Sequence, residues 1–465
     1  MTDLVKAPVI LAAYGVAAPA LGRWISGHRT AERFCFCLML FMTAWAPSKL
    51  TLMLDSVEWY RGHTKGFEFS LIEVVALALL ICAARRHTPG TRRTPPGLWL
   101  YLGYCLLGLL SIVPALNKVF VLMAFWKFTQ TAVVFAAAYH GLRDKEDLRW
   151  LCRAGAAMLI LEVLVALKLR FVDGRWQVHG WFEHQNAMAM WAYVGALPLL
   201  AVALAPETGR RDTGLYLTGF MAAGLLILLS VSRAALAAFA LGAALVTGLA
   251  VLRGFTPKLV GITAAGAVAA LLAGMLALNS LRARVDEVKS RNEEVDFRAI
   301  LIVQSKAMLH DSWVGIGWNN YGVANSRPLG KYSAIIEDWD RSRGFTIYDE
   351  NYYANALTES LYWLLLGETG YPGFIGYLLF LAATWWWALR CTVRFWRSLS
   401  GWFAGALLVA LTLLYVHGTV ERVLTQTKNL SEWLIFAGCL ARLEACRRSR
   451  VDLEEPVTQT AELNP

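Results

Sequence analysis

Apolar residues in this chain are gathered into long runs, and polar residues into the stretches between them. Runs of spanning length lie near 34–54, 69–84, 98–116, 119–139, 150–169, 187–205, 215–232, 234–252, 259–279, 371–389, 401–417 and 430–445, and Ala7–Gly22 makes a thirteenth. A helix needs about 20 apolar residues to cross the hydrocarbon core. The pattern predicts an all-α polytopic membrane helix bundle of about 12–13 transmembrane helices with one large external loop. Ala7–Gly22 either spans or lies in the interface; thirteen spans put the N-terminus outside, twelve inside. The long polar interruption is Ser280–Glu350. It divides the chain into N-terminal transmembrane helices over 1–279, the loop over 280–350, C-terminal transmembrane helices over 351–445 and a cytoplasmic tail, read as disordered, over 446–465. Within the loop, helical patterning covers Arg284–Leu309, and "WVGIGWNNYG" reads as turn and loop.

Composition agrees. The 465 residues are 57% apolar and 17% charged, where a soluble domain has about 25% charged. A net charge of +10 raises the question of nucleic acid. Placement excludes it, because 22 of the 44 basic residues sit in short loops that alternate with basic-poor ones, from Arg23/Arg29/Arg33 to Arg442/Arg447/Arg448/Arg450. That asymmetry marks cytoplasmic loops. It leaves 55–68, 170–186, 280–350 and 418–429 outside, and the loop itself is nearly neutral, with 11 acidic and 10 basic residues. None of the eight cysteines falls between Arg153 and Arg390, so the loop has no disulfide framework, and Cys35/Cys37 read as small core residues.

Polar residues at the edges of apolar runs carry the candidate chemistry. Arg233 in "LLSVSRAAL" is the single charge between Leu215 and Val251. It either snorkels at a turn or, being basic on the basic-poor side, recognises phosphate. Arg298 lies on the loop's helical stretch. Glu183, His184 and Asn186 stand before the run at 187; Asn186 either caps that helix or faces a site, and no second His or Cys stands at metal-ligand spacing. The loop's Trp313, Trp318, Asn319, Asn320, Tyr321 and Trp339 suit either sugar stacking or an interfacial aromatic belt. Glu359 and Glu368, in "TESLYWLLLGETGYPG", are nine residues apart. On one straight helix they face opposite ways. Glu368 is then read as anchoring the turn at Gly370, Pro372 and Gly373, which leaves Glu359 for a buried or cavity role.

In order along the chain, "GWFEHQNAMAMW", "SVSRAAL", "DFRAILIVQSKAMLHDSWVGIGWNNY" and "ESLYWLLLGETGYPG" resemble segments of the O-antigen ligase/polymerase family of bacterial envelope glycosyltransferases. Trp313 stands where that family usually has proline, and Glu359 and Ser360 where it has His-Asn. The resemblance implies a multi-pass protein of the bacterial inner membrane with its active site facing the periplasm. It implies transfer of a glycan from undecaprenyl diphosphate to a hydroxyl acceptor such as lipid A-core, as a ligase, or to a glycan, as an O-antigen or exopolysaccharide polymerase. It assigns donor diphosphate binding to Arg233 and Arg298 and the general base to Glu359, with His184, Asn186, Asp311 and Tyr321 as further candidates for substrate binding. Its partners are the lipid-linked donor, the acceptor and membrane lipids, with no metal and no cofactor. Glu359 alternatively holds Arg233 or Arg298 in a salt bridge. A transporter or lipid flippase is the reading from another class; it would use intramembrane charges such as Lys127 and Glu73.

Overall fold

In the computed structural model the chain is described over residues 3–45, 51–60, 62–86, 94–267, 293–325, 331–342 and 357–453. Helices dominate. In order they are α1 (Val5–Ile25, with a π-helical turn at Ala13–Ala17), α2 (Arg29–Trp45), α3 (Leu71–Arg85), α4 (Leu98–Ile112), α5 (Lys118–Gly141), α6 (Lys145–Phe171), α7 (Gln185–Leu204), α8 (Arg210–Ser230), α9 (Arg233–Arg253) and α10 (257–267). Then come α11 (Glu293–Asp311), α12 (Tyr321–Asn325), α13 (Ser333–Ser342), α14 (Leu361–Arg394), α15 (Leu399–His417) and α16 (Thr427–Ser449). A small antiparallel hairpin, β1 (Leu52–Leu54) and β2 (Phe67–Phe69), stands between α2 and α3 and pairs Met53 with Glu68.

Among the described residues, eight helices (α1, α5, α6, α7, α8, α9, α14 and α15) are long and apolar enough to cross a membrane. This is the all-α polytopic bundle that the apolar runs predict. The runs 34–54, 69–84, 98–116 and 430–445 correspond to α2, α3, α4 and α16, which are shorter or more charged. Helix α2 has 17 residues and α3 has 15, and α16 carries Glu432, Arg442 and Glu444. The run 34–54 yields a helix only to Trp45, because Leu52–Leu54 pairs as a strand. The run 259–279 begins on α10 and leaves the described residues after 267.

The centre of the bundle is α7, in which every residue from Ala187 to Leu204 except Gly195 is buried. A helix that is apolar all round belongs in an interior. Trp433 of α16 and Phe380 of α14 pack edge to face beside it in the same core. At one end of the bundle the basic loops find acidic partners: Arg33 bonds Asp144 and Asp147 at 2.8 Å, Arg86 bonds Glu32 at 2.5 Å and Arg153 bonds Asp212 at 2.9 Å. The residues that mark sidedness therefore also tie α2, α3, α6 and α8 together. At the opposite end lie the hairpin, the 172–184 segment, α11–α13, and residues 357–360 and 418–426. Lys6 donates to Met53 O at 2.8 Å, which places the start of α1 beside the hairpin and fits the thirteen-span alternative.

One expected boundary is crossed by a helix. Helix α16 runs on to Ser449, held by bonds from Arg447 and Arg448 to Glu444 (2.6 and 2.9 Å) and ended by Arg450 at φ 62°. Residues 446–449 of the predicted tail are therefore helix, while 454–465 lie outside the described residues. In the loop, α11 starts at Glu293, and the 284–292 part of the predicted helix lies outside the described residues.

Asp338 and Glu207 lie at opposite ends of the bundle and are exposed, and all eight native cysteines are buried. Single cysteines at these positions should therefore label against a silent background. An impermeant thiol reagent is expected to reach position 338 from outside the cell and position 207 only after the membrane is opened. Labelling of both from one side would break the bundle's topology, and the reverse pattern its orientation.

Candidate functional site

The site assembles at the end opposite the basic loops. Its floor is made by Glu368 and the loop it binds. Residues 313–321 lie along α14 with Ile316 N–H on Gly367 O and Gly317 N–H on Glu368 O, both 3.0 Å, and Tyr371 N–H on Trp313 O at 2.9 Å. These bonds need two backbones in direct contact. A Cβ on Gly315 would come within 2.3 Å of Glu368 O, and one on Gly370 within 2.1 Å of Trp313 O; both glycines have positive φ. The sequence reading placed a helix break at Gly370, Pro372 and Gly373. The break stands at Gly370, whose non-helical backbone (φ 59°, ψ −163°) divides α14 into two helical parts, and there the Tyr371 N–H leaves the helix ladder for the loop.

The Glu368 side chain is fully buried. It accepts from the backbone N–H groups of Asn319 and Tyr321, each at 3.0 Å, and its Oε2 is 2.5 Å from His63 Nε2. Asn319, at φ 61°, sends its own side chain to the other partner of the hairpin: Oδ1 accepts from His63 N–H at 2.7 Å, and Nδ2 donates to Thr64 O at 3.0 Å. Lys127 donates to His63 O at 2.6 Å, and Glu73 closes a capping box with Ser70 at the start of α3. The two intramembrane charges that a transporter would use are thus engaged in structural bonds. Glu368 anchors a loop 47–49 residues earlier in sequence as well as the kink beside it.

Above this floor lies a cluster of charges. Arg298 on α11 bonds Glu359 at 2.5 Å, with about two-fifths of each side chain exposed. Ion pairs this wet contribute at most about 1 kcal/mol. Glu359 precedes α14, whose Leu361 N–H bonds Gly418 O at 2.9 Å and brings the end of α15 alongside. Three residues on, Glu421 Oε1 accepts from Asn186 Nδ2 at 2.6 Å. His184, not Asn186, caps α7: its Nδ1 accepts from Asn186 N–H at 3.2 Å. Partial burial and the Arg422 charge both push the His184 pKa down. Arg422 stands amid the acidic groups; burial pulls its pKa down, while Glu359, Glu368, Glu421 and Tyr60 pull it up.

The sequence candidates therefore divide. His184, Asn186, Arg298 and Glu359 converge. Arg233 is exposed at the first turn of α9, after a turn in which Val231 adopts φ 56°; it lies at the same end but has no ion pair among the described residues. Asp311 bonds Lys331 (2.6 Å) and Tyr332 (2.7 Å), which hold its carboxyl below the usual range. Tyr321 is fully buried, donating to Leu301 O at 2.8 Å. Of the loop tryptophans, Trp318 is buried against Phe128, Trp339 packs on Phe297, and Trp313 is exposed. Glu421 and Arg422 were missed, although Arg422 carries the signal that singled out Arg233: a basic residue on the basic-poor side.

Among the described residues, no group of three or more His, Cys, Asp or Glu side chains is arranged to hold a metal ion. Comparison with protein-family models and with curated proteins gives no match to this chain.

Proposed function

We propose that the protein is a membrane glycosyltransferase that moves a glycan from an undecaprenyl diphosphate donor to a hydroxyl acceptor at the outer face of a bacterial inner membrane. The observation that supports it is the meeting of Arg298 and Glu359 with His184, Asn186, Glu421 and Arg422, all at one end of the bundle. Three of the four family-like segments supply residues to that cluster. In glycosyl transfer from a diphosphate, negative charge develops on the leaving group, and preorganised cations are what stabilise it. Arg298 and Arg422 have that role in this reading, with Arg233 at the exposed rim. Glu359, bonded to Arg298 at 2.5 Å, keeps the guanidinium in place until the donor arrives. Exposed Trp313 offers a face for the sugar.

The test supplies lipid-linked oligosaccharide to the purified full-length protein and measures release of undecaprenyl diphosphate, with lipid A-core and with a second lipid-linked glycan as acceptors. Release that depends on an acceptor is expected, and the effective acceptor separates ligase from polymerase. Intact donor after prolonged incubation with both acceptors would overturn the reading.

A further inference from the structure

Glu421 lies in the short step between the end of α15 and the 3-10 turn Val423–Thr425. Its N–H bonds His417 O at 3.0 Å, which fixes the backbone, and its Oε1 is held by the Asn186 amide. The Leu361–Gly418 backbone bond sets this step against the segment that carries Glu359. Among the described residues, the groups that act on Glu421 include Asn186 from α7, Arg298 from α11, Glu359 from the approach to α14, and Arg422 next to it in the chain. No sequence motif points to it.

We propose that Glu421, rather than Glu359, takes the proton from the acceptor hydroxyl, with Asn186 as its positioning residue; this rests on the glycosyl-transfer reading above. The two carboxylates differ in their partners. Glu359 is ion-paired with the Arg298 guanidinium at 2.5 Å, so its carboxylate is already engaged by a cation. Glu421 is part-buried, and its one bonded oxygen is held by a neutral amide. Burial first, and then the negative charge of Glu359, push its pKa up to about 7, against the opposing pull of Arg298, Arg422 and the Asn186 bond. A base works best when its pKa lies near the working pH.

The step balances without a further reactant. The acceptor oxygen forms its bond to the anomeric carbon as the bond from that carbon to the phosphate oxygen breaks. The electron pair of the broken bond leaves on undecaprenyl diphosphate, opposite Arg298 and Arg422. The hydroxyl proton passes to the Glu421 carboxylate and from there to water.

The experiment follows kcat/KM for undecaprenyl diphosphate release against pH, using the full-length protein. The ionised carboxylate is the active form, so activity should fall as pH drops through about 7. Glu421→Gln keeps the shape and the Asn186 contact; it should lose about 10²–10⁴-fold and remove that acid limb from what remains. Glu421→Asp should recover part of the rate together with the limb, which keeps the test informative if the glutamine variant folds poorly. Asn186→Ala removes a bond that favours the ionised form, and the limb should move to higher pH. Glu359→Gln removes a like charge, and the limb should move to lower pH whatever happens to the rate. A Glu421→Gln enzyme with the wild-type rate and limb would overturn the assignment. So would a limb lost in Glu359→Gln and kept in Glu421→Gln, which would give the proton to Glu359. A wild-type protein that releases no undecaprenyl diphosphate with any acceptor would instead overturn glycosyl transfer itself, before any variant is compared.

Discussion

Glu368→Ala should cost the protein about 3–5 kcal/mol, the range for breaking a buried, bonded charge. The carboxylate accepts two backbone N–H groups and meets His63, all without solvent. Truncation leaves three donors facing an apolar void, and an unsatisfied buried polar group costs about 1–3 kcal/mol each. Glu368→Gln keeps the volume but turns an NH2 group toward one of those donors, so it should be only partly tolerated. Thermal unfolding in detergent reads the loss, and limited proteolysis reads where it falls: the 313–321 loop and the hairpin should be cut first. Asp311→Ala is the control. Its bond to Lys331 is exposed and that to Tyr332 part-buried, and its cost should stay at about 1 kcal/mol, well below that of Glu368→Ala. Equal stability of Glu368→Ala and wild type would show that the loop is held by its glycine contacts alone.

The second large effect is expected at Arg422. On the glycosyl-transfer proposal, Arg422→Ala should lower transfer by about 10²–10³-fold, the usual cost of removing one preorganised donor from a developing anion. It should leave the fold in place, because none of the bonds that tie the loop to α14 involves its side chain. Arg422→Lys should recover only part of the rate, since an ammonium cannot make the two parallel bonds of a guanidinium to phosphate. Arg233→Ala should lose less, because an exposed guanidinium is screened by water and salt. The measurement is the rate of undecaprenyl diphosphate release by variants matched for expression and thermal stability. A wild-type rate in Arg422→Ala would remove this residue from the donor site. A larger loss at Arg233 than at Arg422 would put the diphosphate at the rim of the bundle.

The two predictions separate parts of the site that the sequence runs together. "ESLYWLLLGETGYPG" carries both acidic residues, yet one is a fully buried anchor and the other is two-fifths exposed in an ion pair. Periodicity has them face different ways on one straight helix, but Glu359 precedes α14, and no local pattern says what either carboxylate meets. That depends on Asn319, Tyr321 and His63 for Glu368, and on Arg298 for Glu359. Each of these partners is at least 47 residues away.

By itself the sequence determined the class of fold and pointed to the eight helices that are long and apolar enough to span a membrane among the described residues. The reason is that hydrocarbon imposes its rule on each segment separately: a run is apolar enough to cross or it is not. It also determined which polar residues needed an explanation, because charge beside an apolar run is costly wherever the run packs. Only the tertiary structure decided how those residues are grouped. It drew Arg298 and Glu359 together, left Arg233 at the surface, turned Tyr321 into the loop's core and brought Glu421 and Arg422 into the cluster. Those outcomes depend on which helix ends meet in space. The Leu361–Gly418 and Glu368–Asn319 bonds that bring them together join residues whose pairing leaves no local periodicity or spacing in the chain.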